Sequence, residues 1–263
     1  MDSGDPRQML LRQGYSVVRG VLNQEEVTAL RELCRRELDK AHADTIFGKA
    51  FLGVPQLATI PFSQPVVSAL KAVLGNNFVI VPEFTMQTGR SGTWHFDASS
   101  FRDASWLQDP DYLQVQCAIY LQDAHPVYAG GLGVIPKSHR VPFASWGFGS
   151  LPARLMRRLY IHLGTQQAVP TQAGDLLFFD FRLLHRGLPA RVVAVPDAFS
   201  KYAIFFGAAA TEKHAHLYMQ SMKERGERGD PFYQDCAHLR FPDSYPQELI
   251  ERCREARIAV ASL

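Results

Sequence analysis

Two early stretches of the chain carry apolar residues at helical spacing. Val27, Leu30, Leu33, Cys34 and Leu38 recur on one face, while Arg31, Glu32, Arg35 and Arg36 fill the other. That period predicts an amphipathic helix over 24–42, packed on a sheet with its charged face in solvent. Asn23 is placed to cap it, and Glu26 three residues later completes a capping box. Val66, Val67, Leu70, Val73 and Leu74 predict a second helix over 64–74, stopped by Gly75-Asn76-Asn77. A short amphipathic segment at 6–13 leads into a β-rich run from Gly14 to Gly20. Residues 43–62, with Gly48, Gly53, Pro55 and Pro61, read as irregular.

From residue 78 the period changes. Phe78 to Gln87 reads as a long strand in which Pro82 argues for an edge position or a bulge. His95-Phe96-Asp97 reads as a strand after a glycine turn, followed by a loop at 98–111. Leu113 to Leu121 alternates in part, with Gln114 and Gln116 on one face and Val115, Cys117 and Ile119 on the other. A short strand and turn over 130–140, a helix over 150–163, a buried apolar strand over 173–180 and a last strand over 201–207 follow. The end of the chain reads as a polar helix over 211–226, a break at 229–231 and an amphipathic helix near 246–260. Helices first, then strands joined by glycine turns, predict a mainly β fold with flanking helices, packed on an antiparallel barrel or jelly roll. The expected organisation is one domain over 1–263: N-terminal helices over about 6–75, a β core over about 78–210 and a C-terminal helical extension over about 211–263.

Composition narrows the function classes. With 263 residues the chain is long enough for a sizeable core, and 46% hydrophobic and 21% charged residues are ordinary for a globular domain. A net charge of +2, without a basic arm, gives no electrostatic footprint for nucleic acid or a membrane surface. The four cysteines show no C-x-x-C pair, which argues against a disulfide framework or structural zinc and fits a reducing compartment. With no signal pattern at the N-terminus, the expected location is cytosolic.

The candidate chemistry lies in Thr93-Trp94-His95-Phe96-Asp97 and in the distant His185. On an extended strand His95 and Asp97 would share a side. Two imidazoles and a carboxylate on one face of an octahedron, with the other positions open, suit non-haem Fe(II) in O₂ chemistry. His-x-Asp alone is a weak signal, since a surface His–Asp pair at a strand end has the same pattern.

Five segments in order resemble the phytanoyl-CoA dioxygenase family of Fe(II)/2-oxoglutarate oxygenases. Gly14 to Leu22 with Glu25-Glu26-Val27 resembles the family's first strand and helix, and Trp94-His95-Phe96-Asp97 its proximal iron motif. Gly131-Leu132-Gly133-Val134-Ile135-Pro136-Lys137-Ser138-His139-Arg140 resembles the Gly-x-Leu-x-x-x-Pro-Gly-Ser-His segment. Ala173 to Asp180 resembles the strand before the distal ligand, and His185-Arg186-Gly187-Leu188-Pro189 the distal motif.

The resemblance, which spans about 14–207, implies a double-stranded β-helix and Fe(II) held by His95, Asp97 and His185. It implies 2-oxoglutarate and O₂ as cosubstrates and oxidation of a small organic molecule. Asp97 is the carboxylate that related halogenases replace by a small residue, so hydroxylation is the favoured outcome. The family's basic anchor for the far carboxylate of 2-oxoglutarate falls on Pro196 here, and the loop after His185 is longer. Lys201 then becomes the candidate anchor, with Arg191 as the alternative.

Thr85 and Gln87 share a strand face that should point into the barrel, where one would bind the cosubstrate. Gln116, with Gln114, is placed to line the same cavity. Phe101, Arg102 and Trp106, on a loop, are candidates to cover substrate. His139 and Arg140 read as turn-stabilising. Two rivals stand beside the oxygenase reading: a cupin-like metal isomerase or hydrolase without redox chemistry, and a non-catalytic binding barrel.

Overall fold

The computed structural model describes residues 4–89, 92–100, 105–128, 130–142, 150–230, 233 and 236–263. Helix α1 (Pro6–Gln13) is capped by Asp5, whose carboxylate accepts the Arg7 N–H. It ends at Gly14 in the left-handed region, with φ 87°. Strand β1 (Tyr15–Val18) and helix α2 (Gln24–Ala41) follow. The capping box is present: Asn23 Oδ1 accepts the Glu25 and Glu26 N–H groups at 2.9 Å, and the Glu26 carboxylate accepts the Asn23 N–H at 2.7 Å. The polar face of α2 is not wholly solvent-facing. Arg31 donates to the carbonyls of Leu121 (2.8 Å), Ser200 (3.1 Å) and Asp197 (2.5 Å), tying the helix to the loop before the last core strand.

Residues 43–62 are more ordered than their glycines and prolines suggest. They form β2 (Thr45–Phe47), α3 (Lys49–Leu52), α4 (Pro55–Ala58) and a 3₁₀ turn (Ile60–Phe62) before α5 (Gln64–Leu74). Pro55 and Pro61 sit in first helical turns, where a missing N–H costs nothing. Pro55–Leu74 has a mean hydropathy of 1.3 over its most apolar window, but the stretch is segmented. Leu57, Phe62, Val66, Leu70 and Val73 from it are buried in the main core.

The remaining elements are β3 (Val79–Thr88), β4 (Gln114–Tyr120), β5 (Leu132–Val134), α6 (Leu151–Leu163), β6 (Gln167–Ala168), β7 (Leu176–Asp180), β8 (His185–Gly187), β9 (Tyr202–Ala209), α7 (Glu212–Glu227), α8 (Gln247–Glu255) and β10 (Ala259–Val260). They build two sheets. The larger runs β1-β7-β4-β9-β3-β10, with β2 also on β3, and the smaller runs β6-β5-β8. This is the expected double-stranded β-helix with flanking helices.

The helix expected over 246–260 is shorter. α8 stops at Glu255, Arg257 takes a positive φ of 52°, and β10 lies parallel to β3. β3 is therefore flanked on both sides, and Pro82 sits in a bulge and not at an edge: Val81 faces Gly207, yet Thr85 faces Phe205.

Period-two alternation divides the large sheet cleanly. Phe84, Met86, Val115, Cys117, Ile119, Leu176, Phe178, Ile204 and Phe206 pack with α2 and α5 in one core. The opposite face presents Ala118, Tyr120, Leu177, Phe179 and Ala203, with Phe205, towards Leu132 and Val134 of the smaller sheet. Cys34, Cys117 and Cys253 are free thiols, all buried.

Gly14 joins α1 to β1 where nothing larger fits. A Cβ there would lie 2.5 Å from His139 Nδ1 and 2.6 Å from Leu183 Cδ1. Gly14→Ala combines a left-handed backbone with overpacking, so thermal and urea unfolding should show a loss of about 2–4 kcal/mol.

Candidate metal centre and cavity

His95 and His185 meet because their backbones pair. The His95 N–H donates to the His185 carbonyl and the His185 N–H to the His95 carbonyl, each at 3.0 Å. This is a single bridge and not a continued strand. The expected strand over His95-Phe96-Asp97 is thus corrected: a 3₁₀ turn begins at Asp97 (Asp97–Ser100). Turn geometry, and not alternation along a strand, brings the carboxylate back to the imidazoles. The Ala98 N–H donates to the Phe181 carbonyl at 3.2 Å, which fixes the turn against the segment that delivers His185.

Asp97 Oδ1 lies 3.6 Å from His95 Nε2 and 3.5 Å from His185 Nε2, and the three ligand atoms fall within 4.8 Å of one another. His95 Nδ1 is 2.7 Å from the Thr93 carbonyl and His185 Nδ1 is 2.9 Å from that of Leu183. A carbonyl accepts only from a protonated nitrogen, so both rings carry the proton on Nδ1 and leave the Nε2 lone pairs converging beside the carboxylate. Burial pushes the His185 pKa down to about 3, with His95 adding to the shift. Burial pushes Asp97 up to about 6 against the pull of His95 and Arg225. A divalent cation would satisfy both tendencies, and this donor set suits Fe(II) with open positions.

The turn from β7 to β8 is held by a clamp. Arg182 donates through Nε and Nη2 to the two oxygens of Asp180, at 2.9 and 2.7 Å. Its Nη1 reaches the Leu107 carbonyl at 3.0 Å, and its guanidinium lies 4.3 Å from the Tyr112 ring centroid. Ser138 Oγ accepts the Leu184 N–H at 2.8 Å. His139 Nε2 and Arg140 Nη2 reach the Leu11 carbonyl at 3.2 and 2.9 Å, in keeping with a turn-stabilising role. These contacts hold His185 from behind.

The triad opens on a cavity of about 430 Å³, lined also by Glu83, Thr85, Gln87, Gln116, Tyr120, Phe179, Lys201 and Phe205. The structure brings Lys201, Thr85, Gln87 and Gln116 together in this lining. Burial pushes Lys201 down to about 8. Gln116 Oε1 and the Tyr120 hydroxyl are buried without a hydrogen-bond partner, so polar groups face the cavity ready for a ligand.

Arg191 is not brought there. It is exposed, and its backbone N–H donates to the Val127 carbonyl at 2.8 Å. Trp106 is buried in a cluster with Tyr112, near His214, and does not line the cavity. Gln114 is buried but is likewise not part of the lining. Phe101 and Arg102 lie outside the described residues. Glu83 and Tyr120 were missed, although Glu83 shares the period-two face of Thr85 and Gln87.

A second group, Asp109, Asp111 and His214, also gathers ligand atoms. Here Lys213 Nζ sits 2.5 Å from Asp109 Oδ2, and His214 Nδ1 is 2.8 Å from Thr211 Oγ1. The cation position is already filled by lysine, and the group fastens the start of α7.

A model of the phytanoyl-CoA dioxygenase family matches residues 10–191. Solved structures of similar fold include the α-ketoglutarate-dependent epimerase SnoN from nogalamycin biosynthesis, at 18% identity and TM-score 0.58, covering 78% of this chain and 81% of that one. EctD from S. alaskensis with bound Fe is similar at 19% identity and TM-score 0.59, covering 79% and 76%. HygX from Streptomyces hygroscopicus with nickel and 2-oxoglutarate bound is similar at 16% identity and TM-score 0.58, covering 80% and 87%. No curated protein matches the chain at a significant level. At these identities the structures establish the fold.

Two outcomes follow from Asp97. Its carboxyl must be ionised to bind metal, so Fe(II) affinity should fall by about tenfold per pH unit below about pH 6, while His185 adds nothing until far lower pH. Anaerobic calorimetry across pH 5–8 would check the slope. In the metal-free protein the sign reverses for stability: a folded-state pKa above the unfolded value makes ionised Asp97 a cost at neutral pH. Metal-free Asp97→Asn should therefore melt higher than wild type at pH 7.5, with the gain vanishing below about pH 4, while metal binding is lost.

Proposed function

The chain belongs to the phytanoyl-CoA dioxygenase family, and from that premise we propose that it is an Fe(II)- and 2-oxoglutarate-dependent oxygenase that hydroxylates a small organic molecule. The observation that carries this reading is the pairing, in one cavity, of an open His95–Asp97–His185 set with a half-buried lysine. Iron, 2-oxoglutarate and O₂ together supply the oxidising power: one oxygen atom enters the substrate and the other enters succinate as CO₂ leaves.

The chain's own groups divide the remaining work. His95, Asp97 and His185 would hold the metal and leave the rest of its coordination sphere to ligands. Lys201, half-buried just before β9 begins, offers a cation to the far carboxylate of the keto acid. Thr85, Gln87 and the Tyr120 hydroxyl flank the same end of the cavity and supply hydrogen-bond partners. Phe179 and Phe205 make the wall apolar, which strengthens these polar contacts by excluding water. Arg191, exposed, has no part in this scheme.

A non-redox isomerase or hydrolase on the same barrel needs no 2-oxoglutarate anchor, so Lys201 would be dispensable in it. SnoN is an epimerase and SnoK a carbocyclase. For this chain, Asp97 completes the metal set, and hydroxylation is the proposed outcome.

Lys201 gives the test. Because burial holds Lys201 near 8 before the keto acid binds, 2-oxoglutarate affinity for the metal-loaded protein should be flat below pH 7 and fall as pH rises through about 8. Lys201→Ala should weaken 2-oxoglutarate binding by about tenfold or more and remove the alkaline limb. Formation of succinate from 2-oxoglutarate under O₂ should fall in parallel. Unchanged 2-oxoglutarate affinity in Lys201→Ala would refute this arrangement.

A further inference from the structure

Glu83 faces the cavity from the middle of β3, away from the end where Lys201 enters. It lies inside the bulge, where β3 places three residues (Pro82, Glu83 and Phe84) between Val81 and Thr85 while β9 places one (Phe206) between Phe205 and Gly207. Bulges beside a site re-aim side chains, and Pro82, with no N–H to give, occupies the position where the ladder is already interrupted. From Glu83 to Gln87 an extended strand runs roughly 13 Å. Gln87 is level with Ala203, next to where Lys201 enters. The cavity is therefore polar along its length, with a cation at one end and a carboxylate at the other.

The Glu83 carboxylate is held firmly and left unneutralised. The Tyr218 hydroxyl donates to Oε2 and the Tyr233 hydroxyl to Oε1. Each oxygen has a second lone pair to offer. Among the described residues no lysine or arginine lies within ion-pair distance of it. Arg225 bonds Asp230 at 2.7 Å and lies over the Tyr233 ring at 4.4 Å from its centroid. Burial drives Glu83 towards its neutral form, opposed by the two tyrosines, with Asp97 adding to the drive and Arg225 opposing it. Fastening α7 to the sheet needs only a neutral acceptor, and a desolvated carboxylate is an expensive way to provide one.

Charge balance completes the case. In the loaded site, the two charges of Fe(II) and that of Lys201 match Asp97 and the two carboxylates of 2-oxoglutarate. Among the described lining residues, Glu83 is then the one carboxyl without a cationic counterpart that would keep it ionised.

We propose that Glu83 recognises substrate, and that this site takes a small molecule bearing a protonated amine, with the ammonium on Glu83 and the carbon to be oxidised towards the metal. This inference rests on the oxygenase reading of the same cavity. Gln116, lining the same cavity from β4, offers an amide to the rest of such a molecule.

The test uses the full chain with Fe(II) under anaerobic conditions, in one calorimeter. 2-Oxoglutarate is titrated first, followed by benzylamine, benzyl alcohol or benzoate as matched cationic, neutral and anionic ligands. Wild type should bind benzylamine about tenfold or more tightly than benzyl alcohol and should not bind benzoate. Glu83→Gln should take up 2-oxoglutarate as wild type does, yet bind the amine and the alcohol equally. Tyr218→Phe, which keeps the carboxylate, should retain the amine preference, and Glu83→Met, uncharged and of similar size, should lose it if Glu83→Gln folds poorly. Equal binding of amine and alcohol by wild type, or a preference that survives in Glu83→Gln, would overturn the assignment while leaving the 2-oxoglutarate titration intact. Failure of 2-oxoglutarate to bind wild type would instead overturn the oxygenase reading, and the assignment with it.

Discussion

Everything at the site depends on one pair of backbone hydrogen bonds. His95 and His185 exchange N–H and C=O groups across a single bridge, and that reciprocal pairing fixes the separation of the two imidazoles before any side-chain interaction acts. The turn that opens at Asp97 then swings the carboxylate under both rings, and the carbonyls of Thr93 and Leu183 set the ring protons. The pair is itself supported from a distance. The Asp180–Arg182 clamp shapes the approach to His185, and Ser138 holds Leu184 next to it. Metal geometry is thus the last consequence of sheet pairing and turn chemistry, which is why the polar residues of the turns matter as much as the ligands.

The second organising feature is the alternation of the large sheet. Its outer face gives its apolar side chains to α2 and α5, so the inner face is free to carry Glu83, Thr85, Gln87, Gln116 and Tyr120 without loss of core. Tyr120 and Gln116 keep buried polar atoms without partners, a cost that a ligand would recover. Lys201 and Asp97 are both displaced towards their neutral forms by burial. The resting cavity is therefore primed to take up opposite charges.

Much of this was legible in the chain. The triad could be read because few residue types bind iron, and the helices and core strands because long apolar periods survive tertiary context. The conformation at 95–97 could not, since it is imposed by a pairing with residue 185 that no local window contains. The choice between Lys201 and Arg191 depended on the path of the loop between them. The Arg191 backbone bonds Val127, which carries its side chain into solvent. Trp106 looked like a lid residue because it is aromatic and on a loop, yet it packs beside Tyr112 under α7. Glu83 carried the right period, but Pro82 beside it signalled a disrupted strand, and the significance of the bulge emerged only from the register with β9.

The most direct measurement is anaerobic visible spectroscopy of the Fe(II) protein on addition of 2-oxoglutarate, comparing wild type with His185→Ala. Chelation of iron by the keto acid gives a weak charge-transfer band. The account predicts that band in wild type and its loss in His185→Ala, with the fold of both proteins unchanged by circular dichroism. Stoichiometric Fe(II) binding by wild type with no band on adding 2-oxoglutarate would contradict it.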